Sequence, residues 1–151
     1  MPAGIVSKIK NGQRLAANYT NATAGLTNVG LGWAIGVSEV WTGEFNLTAQ
    51  CSGTGGTKFA LTIPAGATIE ATVFGIAASV TAFTCSRITA SATATTQIYC
   101  NAAAVPGPVR IKVTVVNSTT AGAVALQAES VTSGQTTTVF AGSYCTARPV
   151  N

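Results

Sequence analysis

The sequence predicts an all-β fold, a single antiparallel sandwich or barrel, on three observations. β-Branched residues abound, while the good helix formers Glu, Lys and Leu are scarce. Several segments alternate apolar and polar residues with a period of two. Turn residues recur about every 8–12 residues, the rhythm of a sandwich or barrel of roughly eight or nine strands.

The start of the chain departs from this texture. Ile5, Val6, Ile9 and Leu15 are scattered among charges and an Asn-Gly pair, and Pro2 and Gly4 oppose a helix start. Residues 1–18 are expected to form an extended N-terminal arm and residues 19–151 the β domain, with a linker around 10–25 where Asn and Gly accumulate. The first strand of the body is expected at 30–35. The next covers 44–51, where Phe45, Leu47, Ala49 and Cys51 share a face. Residues 58–63 place Phe59, Leu61 and Ile63 together before Pro64 and Gly66 stop the strand. Further strands are expected at 68–77, 80–85 and 95–101. Residues 109–116 turn Val109, Ile111, Val113 and Val115 inward and Arg110, Lys112 and Thr114 outward. An Ala-rich stretch at 121–130 admits a short helix, but its period of two and its flanking Thr and Gly favour a strand over 123–128. A last strand is expected within 136–147.

At 151 residues and 15.1 kDa the chain has the length of one domain. It contains no His and no Asp, its acids are Glu39, Glu44, Glu70 and Glu129, and only 8% of it is charged. That removes most of the means of acid–base catalysis and metal ligation, and a Ser-His-Asp triad is ruled out. Glu39 and Glu44 do not suit a glycosidase, because residues five apart on a strand face opposite sides. Gly53-Thr-Gly-Gly56 lacks the Gly-Lys-Ser/Thr ending of a phosphate loop and suits a hairpin turn. The chain is therefore expected to be no enzyme and to need no cofactor or metal.

The net charge is +4, and Lys8, Lys10 and Arg14 concentrate much of it at the start. The remaining cations are spread along the chain, so no clustered basic face is evident and nucleic acid is not an expected partner. Arg110 and Lys112 share one face of an apolar strand and read as gatekeepers against edge pairing, with contact to an acidic partner as the alternative. No apolar stretch is long enough to span a membrane, and the first residues lack the apolar run of a signal peptide. Synthesis and folding in a cytoplasm are expected, with no membrane partner. Four Asn-x-Thr sequons, at Asn18, Asn21, Asn46 and Asn117, are the coincidence a Thr-rich chain produces. Trp33 and Trp41 read as buried sandwich aromatics, with exposed ligand-stacking residues as the alternative.

Cys51, Cys85, Cys100 and Cys145 contain no Cys-x-x-Cys. They suit buried free thiols, or one or two disulfides formed after release from a reducing cytosol. If bridges form, Cys85 with Cys100 is favoured, because their spacing suits adjacent strands. One feature has no bland explanation. The arm's cations and aliphatics cannot form a core of their own, so it is expected to order against a partner, with Ile5, Val6, Lys8, Ile9, Lys10 and Arg14 as the contacts.

Residues 57–67 (Thr-Lys-Phe-Ala-Leu-Thr-Ile-Pro-Ala-Gly-Ala) resemble a strand and turn of small tailed-phage virion proteins. Residues 109–117, 121–127 (Ala-Gly-Ala-Val-Ala-Leu-Gln) and 139–144 (Val-Phe-Ala-Gly-Ser-Tyr) resemble the closing pattern of the same proteins, and residues 21–47 match its opening more weakly. The resemblance covers most of residues 20–150 but neither the arm nor the cysteines. It implies a jelly roll related to C1q and tumour-necrosis-factor heads, often trimeric, and brings no catalytic residues. It also implies a virion role. The first expectation is a capsid decoration protein on the outer shell surface, a homotrimer in contact with the major capsid protein and neighbouring copies of itself. The alternative is a tail-fibre or receptor-binding head.

Overall fold

A computed structural model describes residues 11–77, 82–100 and 103–150. It is all-β and antiparallel. The strands are β1 (Asn11–Arg14), β2 (Tyr19–Asn21), β3 (Thr27–Ile35), β4 (Val40–Cys51), β5 (Thr57–Thr62) and β6 (Thr68–Ile76), followed by β7 (Phe83–Ile88), β8 (Gly107–Val116), β9 (Gly122–Ser130), β10 (Thr137–Val139) and β11 (Tyr144–Pro149). A large sheet runs β1-β11-β4-β8-β6-β7, with β10 pairing both β4 and β2, and a small sheet runs β3-β9-β5. Tyr99 extends the small sheet through a bridge to Thr57 of β5.

From β3 onward the chain steps between the sheets in a regular way. β3 is in the small sheet, β4 the large, β5 the small, β6 and β7 the large, Tyr99 the small, β8 the large and β9 the small. The four-membered series β3-β9-β5-Tyr99 thus faces β4-β8-β6-β7, which is the strand order of a jelly roll. β11 and β1 widen the second series beyond β4.

The core follows from the alternation. Along β8 every second residue, from Gly107 to Val115, is buried and every intervening one is exposed. Phe45, Leu47 and Ala49 of β4 face Leu31, Trp33 and Ile35 of β3 and Val124 and Leu126 of β9 across the sandwich, all nearly or wholly buried. Trp33 packs on Phe45 with centroids 5.4 Å apart, and Phe59 on Tyr99 at 6.0 Å. Each such side chain stabilises the fold by about 1.5–3 kcal/mol relative to exposure. The Ala-rich stretch is strand β9 from Gly122 to Ser130, because its alternate residues Val124, Leu126 and Ala128 fill this core.

Four expectations need revision. The arm was expected to run to residue 18 with a linker to 25, yet Asn11–Arg14 pair with β11 and Tyr19–Asn21 with β10. Leu15 is the anchor: it is buried, its N–H donates to Ser143 O at 2.8 Å, and its carbonyl accepts from Gly142 at 2.9 Å. Of the strand expected at 95–101, the described residues 95–100 are no regular strand. Their backbone follows β5, with Thr95 and Tyr99 donating to Phe59 O and Thr57 O, but φ is +53° at Ala92 and +52° at Cys100, which limits the pairing to the single bridge. The strand expected at 80–85 begins at Phe83 among the described residues and runs to Ile88. The strand expected over 136–147 divides into β10 and β11 at a turn where Gly142 takes φ +92°, a left-handed conformation open to glycine.

Candidate functional site

The outer face of the large sheet gathers most of the charge of the described residues. Inward residues of β4, β8, β6 and β11 are apolar, so the charged ones between them are forced to the other side. Registers align them in rows. Phe74 of β6 lies opposite Arg110 of β8, Arg110 opposite Asn46 of β4, Asn46 opposite Tyr144 of β11, and Tyr144 opposite Arg14 of β1. One row further, Arg87, Thr72, Lys112, Glu44 and Thr146 follow one another from β7 to β11. Arg148 stands opposite Thr42. Arg14, Arg87, Arg110, Lys112 and Arg148 therefore share a face, while Lys58 lies on the small sheet opposite Glu129.

Two carboxylates stand among these cations, and both are paired. Arg110 Nε donates to Glu44 Oε1 at 2.8 Å, and Asn46 Nδ2 donates to the same oxygen at 2.8 Å. Burial alone pushes the Glu44 carboxyl up, but these two hydrogen bonds and the charges of Arg110 and Lys112 outweigh it and hold it below the usual glutamate value. Arg87 grips Glu70, with Nη2 donating to Oε2 at 2.7 Å; this bond lowers the Glu70 carboxyl and raises the guanidinium. Arg110 and Lys112 are thus no edge gatekeepers, since β8 lies between β4 and β6 in the middle of the sheet.

Aromatic rings stand on the same face. Phe83 is 80% exposed, Phe74 43% and Tyr144 44%. Phe74, Gly75, Phe83 and Pro108 line a groove of about 350 Å³ together with Arg110 and Lys112. A second, more polar depression between β4 and β11 is bordered by Lys112, Glu44 and Arg148. The sequence hid this face because its residues are scattered from 14 to 148 and meet only through the strand order.

Of the residues expected to contact a partner, Arg14 is exposed in β1 beside Tyr144. Ile5, Val6, Lys8, Ile9 and Lys10 lie outside the described residues. Trp33 and Trp41 are buried in the sandwich. Cys85 and Cys100 are not joined: Cys85 is exposed on β7, whereas Cys100 is buried with its sulfur 4.0 Å from Gly107 O. Their spacing does not bring them to adjacent strands, because the chain between them crosses to the small sheet at Tyr99. Cys51 and Cys145 are also buried free thiols. Burial pushes the Cys100 thiol up to about 12, with the nearby Cys51 adding to the shift, and burial raises Cys145 as well. Glu39 accepts from Gly36 N and Trp41 Nε1, each at 2.8 Å, and so pins the β3–β4 turn. Among the described residues no three His, Cys, Asp or Glu gather as a metal site, and no helix is long and apolar enough to cross a membrane.

No family model and no curated protein matches the chain. Among solved structures it is similar to that of the infectious bursal disease virus Gx strain, at 15% identity over 95% of this chain and 42% of the other, with a TM-score of 0.26. It is likewise similar to the VP2 subviral particle of infectious bursal disease virus, at 15% identity over 95% of this chain and 41% of that one, with a TM-score of 0.23. The chain spans about two-fifths of the length of these proteins. At such scores the likeness carries neither fold nor function, and the jelly-roll assignment rests on the strand order.

Proposed function

We propose that the chain is a non-enzymatic structural component of a virion, a decoration (cement) protein that binds an assembled shell. It would be made in the host cytoplasm, associate as a homotrimer, and contact the major capsid protein and neighbouring copies of itself on the outer capsid surface. The jelly-roll strand order and the virion-protein pattern of residues 57–67 and 109–144 support this reading. So does the structural engagement of Glu39, Glu44 and Glu70 in hydrogen bonds within the fold.

The observation that carries the proposal is the anchoring of β1. Leu15 and the β1–β11 ladder tie residues 11–15 to the margin of the large sheet. Contact of Ile5, Val6, Lys8, Ile9 and Lys10 with a partner is proposed from their sequence, these cations and aliphatics having no core of their own. Binding only the assembled shell stabilises it by mass action, and several sites per trimer multiply the effect.

Deleting residues 2–10 tests this directly. Co-sedimentation with shells is expected to be lost, while sedimentation velocity still reports a folded trimer; undiminished binding overturns the assignment to the arm. A receptor-binding head is the second reading; Trp33 and Trp41, its expected stacking residues, are buried, so ligand contact would fall to the exposed Phe74, Phe83 and Tyr144.

A further inference from the structure

We propose that the outer face of the large sheet binds single-stranded nucleic acid, with bases stacked on Phe74, Phe83 and Tyr144 and phosphates held by Lys112, Arg148 and Arg14. This goes beyond the shell-binding role and does not depend on it. The sequence offers no basic cluster, but the sheet builds one: five cations share the face with Glu44 and Glu70, leaving a surplus of three. Neither acid confronts a phosphate as a bare charge, since Arg110 holds Glu44 and Arg87 holds Glu70.

The aromatic rings decide between classes of anion. An acidic protein surface would satisfy the cations but leave three exposed rings without flat partners. A single strand supplies both, a phosphate chain and a series of planar apolar bases. The spacing suits it. Phe74 and Tyr144 stand three strand steps apart with Arg110 between them, about 14 Å at the usual separation of neighbouring strands. A flat sheet face bearing aromatics is a platform on which two or three bases stack. The groove of about 350 Å³ completes the fit, since Phe74, Phe83 and Pro108 line it together with Arg110 and Lys112. On a shell protein such a face would turn toward the genome. Binding would then contradict placement on the outer capsid surface and leave only the broader reading of a shell component.

Fluorescence anisotropy of the full chain with a labelled oligothymidylate tests the proposal. Saturable binding at low salt is expected to weaken as salt rises. Phe74→Ala and Phe83→Ala should each lower affinity by about tenfold with an unchanged salt slope, the signature of lost stacking. Lys112→Gln should reduce the slope by about 0.7, the value for one single-strand phosphate contact. Lys58→Gln, on the small sheet, should change neither. Three outcomes overturn the proposal: no binding, loss that follows Lys8→Gln and Lys10→Gln while the face variants bind normally, or equal displacement by polyglutamate, which would mean an acidic protein partner.

Discussion

Tyr99 occupies the space that a side chain at Gly75 would fill: a Cβ there would lie 2.7 Å from the ring. The ring enters from the small sheet and its hydroxyl closes the contact, donating to Val73 O at 3.0 Å and sharing a 2.6 Å hydrogen bond with Ser86 Oγ. One buried tyrosine thus fastens β5, through its bridge to Thr57, to β6 and β7 across the sandwich. Trp33 and Gly43 repeat the device on β4, where a Cβ would lie 2.5 Å from the indole.

Gly75→Ala is accordingly expected to destabilise the fold by about 1–3 kcal/mol through overpacking. Tyr99→Phe should cost a similar amount, because it leaves Ser86 buried with its hydroxyl partner gone. Urea unfolding of both variants provides the check, and an unchanged midpoint would remove Tyr99 from its place as a fastener.

The thiols should separate by reactivity. Cys85 is exposed, whereas Cys51, Cys100 and Cys145 are buried and Cys100 is pushed up to about 12. Brief iodoacetamide treatment of the native protein near pH 8, read by peptide mass spectrometry, should modify Cys85 and spare the other three until denaturant is added. Early modification of Cys100 would contradict its burial.

Acid should weaken the fold through Glu44. Its carboxyl titrates below the ordinary glutamate value in the folded state, so its contribution is fully present above that value and is lost as pH falls through the lowered one. Urea midpoints at pH 7 and pH 3 should therefore differ less in Glu44→Gln than in the parent protein. An identical acid loss in the variant would place the sensitivity elsewhere.

Strand alternation made much of the fold legible. The core faces of residues 44–51, 58–63, 109–116 and 123–128 stand where their period of two puts them. What the period could not convey was pairing. Asn11–Arg14 look like arm residues because a short polar edge strand carries no alternating signal; β11 and the burial of Leu15 make them part of the sheet. Cys85 and Cys100 look like neighbours because nothing local records that the chain changes sheets at Tyr99. The basic aromatic face was hidden for the same reason, since Arg14, Arg110 and Arg148 converge only through β1, β8 and β11.

The claim that this jelly roll is a shell component is tested most directly by counting it. Quantitative mass spectrometry of purified particles gives its copy number relative to the major capsid protein. The account predicts a ratio approaching one-to-one. A handful of copies per particle would instead mean a tail component, and absence from the particles would contradict a virion role altogether.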